Sequence, residues 1–233
     1  MPDLSIRSNE AEIMDDLAAP ENELRQNLRE LEVINKLLGG YSIVLHALDK
    51  LDLPKDKPTS IIDIGSGGGD MLREIAGWAQ QRKKEVVLTG IDYNRVMIHY
   101  AMEQSADYRN ISYKQMSVWD EKMCEERADV VLCNLFCHHF TDAALVPILR
   151  MFYSISNKAV IINDLHRHWF AYHAIGVLTS LFSKTYMVKN DAKLSVARAF
   201  TRKELEQLLH DAGITNYTIK WRWAWRWEVI IKK

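Results

Sequence analysis

Two cysteines and two adjacent histidines fall within eight residues, in the segment CNLFCHHF at 133–140. Thiolates and imidazoles bind zinc, and a cysteine beside a histidine can act as an activated nucleophile. The Cys-x3-Cys spacing is compatible with zinc, but the sequence offers no obvious second pair of ligands to complete a tetrahedral site. We therefore favour a third interpretation, in which the segment lines the site of another reactive group, and we predict no bound metal.

A second cluster of polar side chains, NDLHRHW at 163–169, also follows an apolar run. Histidine changes its protonation state near neutral pH, so it can remove a proton from a substrate, and a nearby carboxylate can orient it. The candidates for this acid–base role are His139, from the first cluster, together with Asp164 and His166. His138 is interpreted as a structural residue, and a structural role is also the alternative for each of the three candidates.

A glycine-rich turn, GSGGGD at 65–70, follows the apolar run IIDI and precedes a helical pattern. Glycines let a ligand approach the backbone closely, and the free N–H groups of the next helix suit an anionic group such as a carboxylate. Further along, Asp92 ends a second apolar run, where a carboxylate can accept hydrogen bonds from two ribose hydroxyls. The pattern predicts a ribose-bearing cofactor; the alternative is a turn that only connects a strand to a helix.

The acidic residues around this turn indicate which cofactor it holds. Dinucleotide-binding turns have the form G-x-G-x-x-G/A, but Asp70 stands at the third small position here, and Asp63 precedes the first glycine. Two carboxylates would repel a pyrophosphate and attract a cationic group. S-Adenosyl-L-methionine has a ribose, an amino group and a sulfonium but no phosphate, so it fits better than NAD, the cofactor of an oxidoreductase with the same architecture.

Together, DIGSGGGD at 63–70 and Asp92 in GIDYN resemble motifs I and II of class I S-adenosyl-L-methionine-dependent methyltransferases. The resemblance covers about residues 59–233 and is to the small-molecule group similar to ubiquinone-biosynthesis and polyketide methyltransferases. It places CNLFCHHF at motif IV, beside the methionine end of the cofactor. It implies a cofactor site of ten residues: Asp63, Gly65, Ser66, Gly67 and Asn134 near the methionine, Asp92 at the ribose, and Tyr93, Ser117, Val118 and Trp119 near the adenine.

Two places depart from patterns of the relatives. Many relatives bind the adenine amino group with an acid, and Ser117 stands in that place here, with Asp120 three positions later. Metal-dependent catechol-type methyltransferases follow their fourth and fifth strands with an Asp…Asp-Asn pattern, whereas this chain has Asn134 and then Asn163-Asp164. We therefore favour a site without magnesium, which stays the alternative.

The elements that must position these residues alternate from Thr59 onward between apolar strands and amphipathic helices. Because the strands are apolar throughout, they predict βαβ units and a parallel sheet covered on both faces, in a doubly wound, Rossmann-like α/β fold. The resemblance adds seven strands with the last antiparallel, and the C-terminal TIKWRWAWRWEVIIKK predicts a hairpin that packs its tryptophans into the core. The predicted strands are 59–65, 85–92, 111–116, 128–134 and 158–164, and the helices between them are 71–82, 96–104 and 143–153.

Two segments lie outside this alternation and predict the domain organisation. Residues 1–58 form an N-terminal helical cap, with helices at 21–38 and 41–51, and residues 59–233 form the methyltransferase domain. A helical insertion at 165–199 is expected to line the substrate pocket, because WFAYHAIGVLTSLF offers an apolar wall for an aromatic or polyketide-like acceptor. The alternative for this stretch is an ordinary core helix or a dimer surface.

Composition limits the partners. Among 233 residues, 30 Lys and Arg balance 31 Asp and Glu, so a nucleic-acid partner is not expected. Three cysteines are too few for a disulfide framework, and the polar, acidic start does not resemble a signal peptide. The most apolar run is shorter than the roughly 20 residues that cross a bilayer. We expect a cytoplasmic monomer or homodimer with a small-molecule substrate and no stable membrane insertion.

The predicted function is S-adenosyl-L-methionine-dependent methylation of a small, mostly apolar aromatic or polyketide-like acceptor. Transfer to oxygen by in-line displacement, with a histidine base, is the favoured reaction, because a protonated phenol is a poor nucleophile. The alternatives are methylation of carbon or nitrogen, an NAD-dependent oxidoreductase, and a non-catalytic protein that keeps the cofactor fold.

Overall fold

The computed structural model describes residues 3–53 and 57–233 of the chain. Within them one seven-stranded sheet has the order β3-β2-β1-β4-β5-β7-β6, and β7 runs antiparallel to both β5 and β6. The strands are β1 (Thr59–Ile64), β2 (Val86–Asp92), β3 (Ile111–Gln115), β4 (Ala128–Asn134), β5 (Ser156–Leu165), β6 (Tyr217–Arg222) and β7 (Arg226–Lys232). This sheet confirms the doubly wound, Rossmann-like fold with an antiparallel last strand.

Helices cover both faces of the sheet. They are α1 (Glu21–Leu37), α2 (Gly40–Asp49), α3 (Asp70–Gln81), α4 (Arg95–Gln104), α5 (Asp142–Ile155), α6 (Trp169–Phe182), α7 (Tyr186–Arg198) and α8 (Arg202–Asp211). One apolar cluster packs α5 and α8 against the sheet, and another packs α2 and α3. Because β1 and β4 are adjacent while the chain leaves them toward opposite edges, a crevice opens at their carboxyl ends, where ligands bind in such sheets.

The helical insertion predicted at 165–199 consists of the two helices α6 and α7, which pack on each other. It ends at a capping box, in which the Thr201 side chain accepts from the Glu204 N–H and the Glu204 carboxylate accepts from the Thr201 N–H. The box fixes the start of α8 because it satisfies two otherwise free N–H groups. The described part of the chain contains no helix long and apolar enough to span a membrane.

The C-terminal tryptophans correct one expectation. Trp227 is buried against the sheet, but Trp221 and Trp223 are 47% and 65% exposed, so the prediction that the hairpin packs its tryptophans into the core is wrong for these two. The reversal between β6 and β7 occupies residues 223–225, which projects Trp223 toward solvent. Trp225 stacks on Phe170 of α6 with ring centroids 4.9 Å apart, so the hairpin tip meets the insertion instead of the core.

The N-terminal segment is held on α7. A short 3-10 helix, Ile13–Asp15, presents the N–H groups of Ile13 and Met14 to the carboxylate of Asp191, each at 3.0 Å. Asp191 is 4% exposed, so these two bonds are shielded from water. The insertion and the N-terminal cap thus meet directly beside the carboxyl ends of the strands.

Candidate active site

A cavity of about 410 Å³ lies at the carboxyl ends of β1, β4 and β5, beneath α1, α6 and α7. This volume is in the range of small-molecule sites, which are mostly apolar with a few placed polar groups. One end of the cavity is formed by the glycine-rich turn after β1 and the other by the hairpin tip. The apolar wall comes from α1 and α6, through Leu28, Leu31, Ile34, Phe170, Ala171, Ala174, Ile175 and Leu178.

The turn after β1 needs its glycines for conformation and for space. Gly65 and Gly67 have φ of +74° and +50°, a region that side chains disfavour. A Cβ on Gly65 would lie 2.1 Å from the ring of Phe136, in the segment after β4. The end of β1 therefore contacts the segment after β4 through the backbone of Gly65, which has no side chain and lines the cavity.

Asp63 is a buried carboxylate that has too few partners. It is 2% exposed, and its Oδ1 has no hydrogen-bond partner among the described residues; the same holds for Oγ of Ser66. Burial, reinforced by the charges of Asp70 and Asp92, raises the pKa of Asp63 well above its usual value. A cationic ammonium group would supply the missing hydrogen bond and a sulfonium would add a favourable positive charge, whereas a pyrophosphate would add to the repulsion. The residues present therefore fit S-adenosyl-L-methionine.

Asp70 already has a hydrogen-bond partner from the N-terminal cap and is less available to bind a cationic group. The hydroxyl of Tyr41, in α2, donates to Asp70 Oδ2 at 2.5 Å. Burial raises the pKa of Asp70, and the Tyr41 hydrogen bond opposes that rise. Of the acids around the turn, Asp63 is thus the one with a buried oxygen that lacks a hydrogen-bond partner among the described residues.

Asp92 stands at the end of β2, at the position expected for a ribose-binding carboxylate. It accepts hydrogen bonds from the N–H of Gly67 at 3.0 Å and of Asn94 at 2.9 Å, which fixes its orientation next to the turn. Burial raises its pKa, and these hydrogen bonds oppose the rise. The second lone pairs of its oxygens are the groups that could accept from hydroxyls.

The residues expected near the adenine lie beside the cavity and not in its lining. The Tyr93 hydroxyl donates to the carbonyl of Asp15 at 3.0 Å, so the 3-10 helix covers this side. Ser117 Oγ accepts from the Trp119 N–H at 3.2 Å, and the exposed Trp119 ring meets Phe140 edge-on. Asn134, by contrast, lines the cavity, and its Oδ1 accepts from Asn163 Nδ2 at 2.7 Å.

His138 lies buried between two carboxylates. Its Nδ1 lies 2.7 Å from Oδ1 of Asp164, and its Nε2 lies 3.6 Å from Oε1 of Glu12. Burial alone would raise the pKa of Asp164, but the charge and hydrogen bond of His138 hold it below its usual value. Burial raises the pKa of Glu12 to about 7, opposed by His139 and by the Ser195 hydroxyl. Sequence reasoning missed Glu12, because nothing in its surroundings marks it.

His139, the neighbour of His138, also lines the cavity. Its Nδ1 lies 3.0 Å from Oδ2 of Asp15, and the side chain is 15% exposed. Burial would raise the pKa of Asp15, but the hydrogen bond and charge of His139 lower it. The rings of His138 and His139 are 4.4 Å apart, so two imidazole–carboxylate pairs stand side by side.

The other candidates of the two polar clusters lie elsewhere. His166 is not part of the cavity lining; its ring packs on Trp227 at 4.7 Å, and burial and the neighbouring His168 lower its pKa. The thiols of Cys133 and Cys137 are buried 3.3 Å apart, and burial raises the pKa of Cys133 well above its usual value, which disfavours a nucleophilic thiolate.

Three donor atoms near the cavity lie close enough together to hold a cation. Among the described residues, Glu12, His138 and His139 each place one donor atom within 4.8 Å of the others, a spacing that could admit a cation. The two cysteines are not part of this group. The absence of a metal stays a prediction that a chelator experiment must test.

Comparison with known proteins identifies the class. Residues 61–158 match a family model described as a methyltransferase domain. Among curated proteins, none matches the chain. The matched stretch is thus similar to a methyltransferase domain. The seven-stranded sheet around it is the fold of the class I methyltransferases, enzymes whose methyl donor is S-adenosyl-L-methionine. The family resemblance read from motifs I and II is confirmed.

Solved structures support the fold over nearly the whole chain. The plantazolicin methyltransferase BpumL, solved with S-adenosylhomocysteine, is 19% identical with a TM-score of 0.63, over 91% of this chain and 95% of its own. Human N-acetylserotonin methyltransferase, solved with S-adenosylmethionine, is 12% identical with a TM-score of 0.66, over 97% of this chain. An O-methyltransferase family protein from Burkholderia thailandensis is 14% identical with a TM-score of 0.67, also over 97%. The chain spans only 63% and 65% of these last two proteins.

Proposed function

We propose that the protein transfers a methyl group from S-adenosyl-L-methionine to an oxygen of a small, mostly apolar acceptor of aromatic or polyketide-like type. One observation carries the proposal: a single cavity joins the glycine-rich turn and Asp63 to an apolar wall and to two imidazoles. Positioning the acceptor and the donor in such a dry site can contribute on the order of 7–11 kcal/mol to the rate. We expect this chemistry to serve small-molecule biosynthesis in the cytoplasm.

The cofactor would occupy the turn after β1 and the end of β2. Asp63 and the segment Gly65–Gly67, with Asn134, would hold the methionine part, Asp92 the ribose, and Tyr93 with residues 117–119 the adenine. Bound there, the cofactor supplies an activated methyl group on a cationic sulfur. The buried carboxylate of Asp63, which has a free oxygen, favours that positive charge over a phosphate.

The acceptor would lie between α1 and α6. Leu31 and Ile34 face Ala174, Ile175 and Leu178 across the cavity, and these side chains suit an apolar ring or chain. Their burial of the acceptor would exclude water from the reacting atoms, which strengthens electrostatic interactions there.

His139 is the proposed general base. Its Nδ1 is bound by Asp15, so Nε2 is the nitrogen free to take a proton from an acceptor hydroxyl. His138 is held between Asp164 and Glu12 and would position this pair. A base of this kind contributes roughly 100- to 10,000-fold to the rate. His166 is the second candidate for the base, because it lies outside the cavity lining.

Binding and transfer assays test the proposal in two steps. Calorimetry should show binding of S-adenosylhomocysteine and no binding of NAD, and a methyl-transfer assay across phenols and carboxylic acids should then find a small acceptor. Binding of NAD instead, or transfer only to protein or nucleic acid, would contradict the proposal. Methylation on carbon or nitrogen would show that oxygen is not the acceptor atom, and the remainder of the proposal would stand.

The variant His139→Gln tests the base. We expect kcat to fall by about 100-fold or more while the Kd for S-adenosylhomocysteine changes less than about threefold. His210→Gln is the control, because this side chain is 82% exposed on α8. Wild-type kcat in His139→Gln, with a loss in His166→Gln, would move the role to His166. A chelator should leave activity unchanged; loss and recovery with a divalent metal would show that the reaction needs a cation.

A further inference from the structure

Arg226 is a buried cation that lacks a full set of partners. Its side chain lines the cavity at the start of β7, and the residue is 3% exposed. One guanidinium nitrogen, Nη2, donates to Oδ1 of Asn35 at 2.9 Å, whereas Nε and Nη1 have no partner among the described residues. A buried charge is costly unless it is paired, so the missing partner is expected to be a bound group.

The carboxylate of Glu228, on the same face of β7, does not pair with Arg226. Glu228 is fully buried two residues along β7, but Lys50 Nζ donates to it at 2.9 Å and Arg222 donates to both of its oxygens at 3.0 Å. Burial lowers the pKa of Arg226 to about 10, opposed by the charge of Asp164, and the group is still protonated at neutral pH. Asp164 makes its own hydrogen bonds to His138 and to the Leu165 N–H and none to the guanidinium. The positive charge of Arg226 is thus not neutralised by Glu228, whose own charge is already shared between two cations.

The position of Arg226 is on the acceptor side of the cavity. In the sheet order, β7 is three strands from β1, a distance of roughly 14 Å, whereas the cofactor turn follows β1 itself. The guanidinium lies flat on Gly40, where a Cβ would stand 3.1 Å from Cζ. Around it are Asn35 of α1 and the hairpin tip with Trp225 stacked on Phe170.

We propose that Arg226 binds a carboxylate of the methyl acceptor, an inference that rests on the proposed function and narrows it to apolar acids. A guanidinium offers parallel N–H donors that match the two oxygens of a carboxylate, and such bonds are strong because both groups are charged. The apolar wall of α1 and α6 would bury the remainder of the acceptor. The cofactor also contains a carboxylate, so the experiment must separate the two sources.

The test compares acids with their amides. We would titrate protein saturated with S-adenosylhomocysteine with 2,4-dihydroxybenzoate and 4-phenylbutanoate, and with the primary amide of each. At least one acid should bind wild type about tenfold or more tightly than its amide. In Arg226→Met the acid and the amide should bind alike, and Arg226→Lys should keep only part of the preference. Lys220→Met, an exposed charge of the same hairpin, should keep all of it.

A second titration identifies the source of the anion. S-Adenosylhomocysteine and 5′-methylthioadenosine, which lacks the amino acid part, should each bind Arg226→Met within threefold of wild type. A selective loss of S-adenosylhomocysteine affinity would assign Arg226 to the cofactor and overturn the proposal.

The wild-type titration is decisive on its own, even if a variant fails to fold. If no acid binds wild type better than its amide, whether both bind or neither does, the proposal is wrong. Failure of wild type to bind S-adenosylhomocysteine at all would instead contradict the proposed function.

Discussion

At the scale of single residues, the turn after β1 links side-chain size to cofactor binding. Gly65→Ala should lower the affinity for S-adenosylhomocysteine at least tenfold, because a Cβ at φ of +74° would overlap the Phe136 ring. It should also lower the free energy of unfolding by about 1–3 kcal/mol, the cost of the disfavoured backbone conformation. Calorimetry and urea denaturation measure the two effects.

The same helix that follows this turn supplies the control. Gly77 lies within α3 and a Cβ there would meet no atom within 4 Å, so Gly77→Ala should leave binding unchanged and stabilise the protein by about 0.5–1 kcal/mol. Wild-type affinity in Gly65→Ala would mean that the cofactor does not use this turn.

Residue types and spacing predicted the site residues that one local strand–turn–helix pattern carries. The glycines, Asp63 and Asp92 could be found because a strand, a turn and a helix determine their placement locally. The contact between Glu12 and His138 could not, because 125 residues separate them and no motif marks Glu12. His138 was interpreted as structural, yet it lines the cavity with its imidazole between two carboxylates.

At the scale of elements, the segment after β4 is held by two arginines, one from the N-terminal segment and one from α7. Arg198 of α7 donates to the carbonyls of His138 and His139, and Arg7 donates to the carbonyl of Phe140. The 3-10 helix that carries Asp15 is in turn held on α7 by Asp191. The position of the proposed base therefore depends on the contact between the N-terminal cap and the insertion.

Asp191→Ala tests this dependence. Two partly buried N–H groups would lose their acceptor, which should cost about 1–3 kcal/mol and loosen the 3-10 helix. We expect faster hydrogen exchange at residues 12–16 and a lower kcat, because Asp15 would no longer orient His139. Asp211→Ala, at an exposed position of α8, is the control. Unchanged exchange at 12–16, or unchanged kcat despite faster exchange, would contradict this coupling.

Hydrophobic periodicity predicted most elements within one or two residues, since most strands and helices bury their apolar positions in the clusters against the sheet. It did not divide the insertion into α6 and α7, because no glycine or proline separates them and because α7 mixes Asp191 and Ser195 with apolar residues on its cavity side. It also misassigned Trp221 and Trp223, because an alternating pattern shows which residues share a strand face and not whether that face is covered.

At the scale of the whole molecule, acidic groups buried at the cavity make folding depend on pH. Glu12 is 3% exposed and its pKa in the folded protein is about 7, against 4.5 for the unconstrained group, chiefly because of burial. A folded-state pKa above the unfolded value means that the folded protein binds more protons between these two values. The contribution of Glu12 to stability is therefore present below about pH 4.5 and is lost as the pH rises through 7.

Glu12→Gln should remove this dependence while keeping an oxygen that accepts from the Ser195 hydroxyl. Relative to wild type, the variant should gain up to about 3 kcal/mol in the free energy of unfolding between pH 5 and pH 8, because it does not ionise. Urea denaturation across this range measures the difference. Glu10→Gln, at an exposed position two residues earlier, should follow the wild-type curve. A constant difference between Glu12→Gln and wild type would show that Glu12 is already ionised in the folded protein at pH 5, and that the charge of His139 and the Ser195 hydrogen bond outweigh burial.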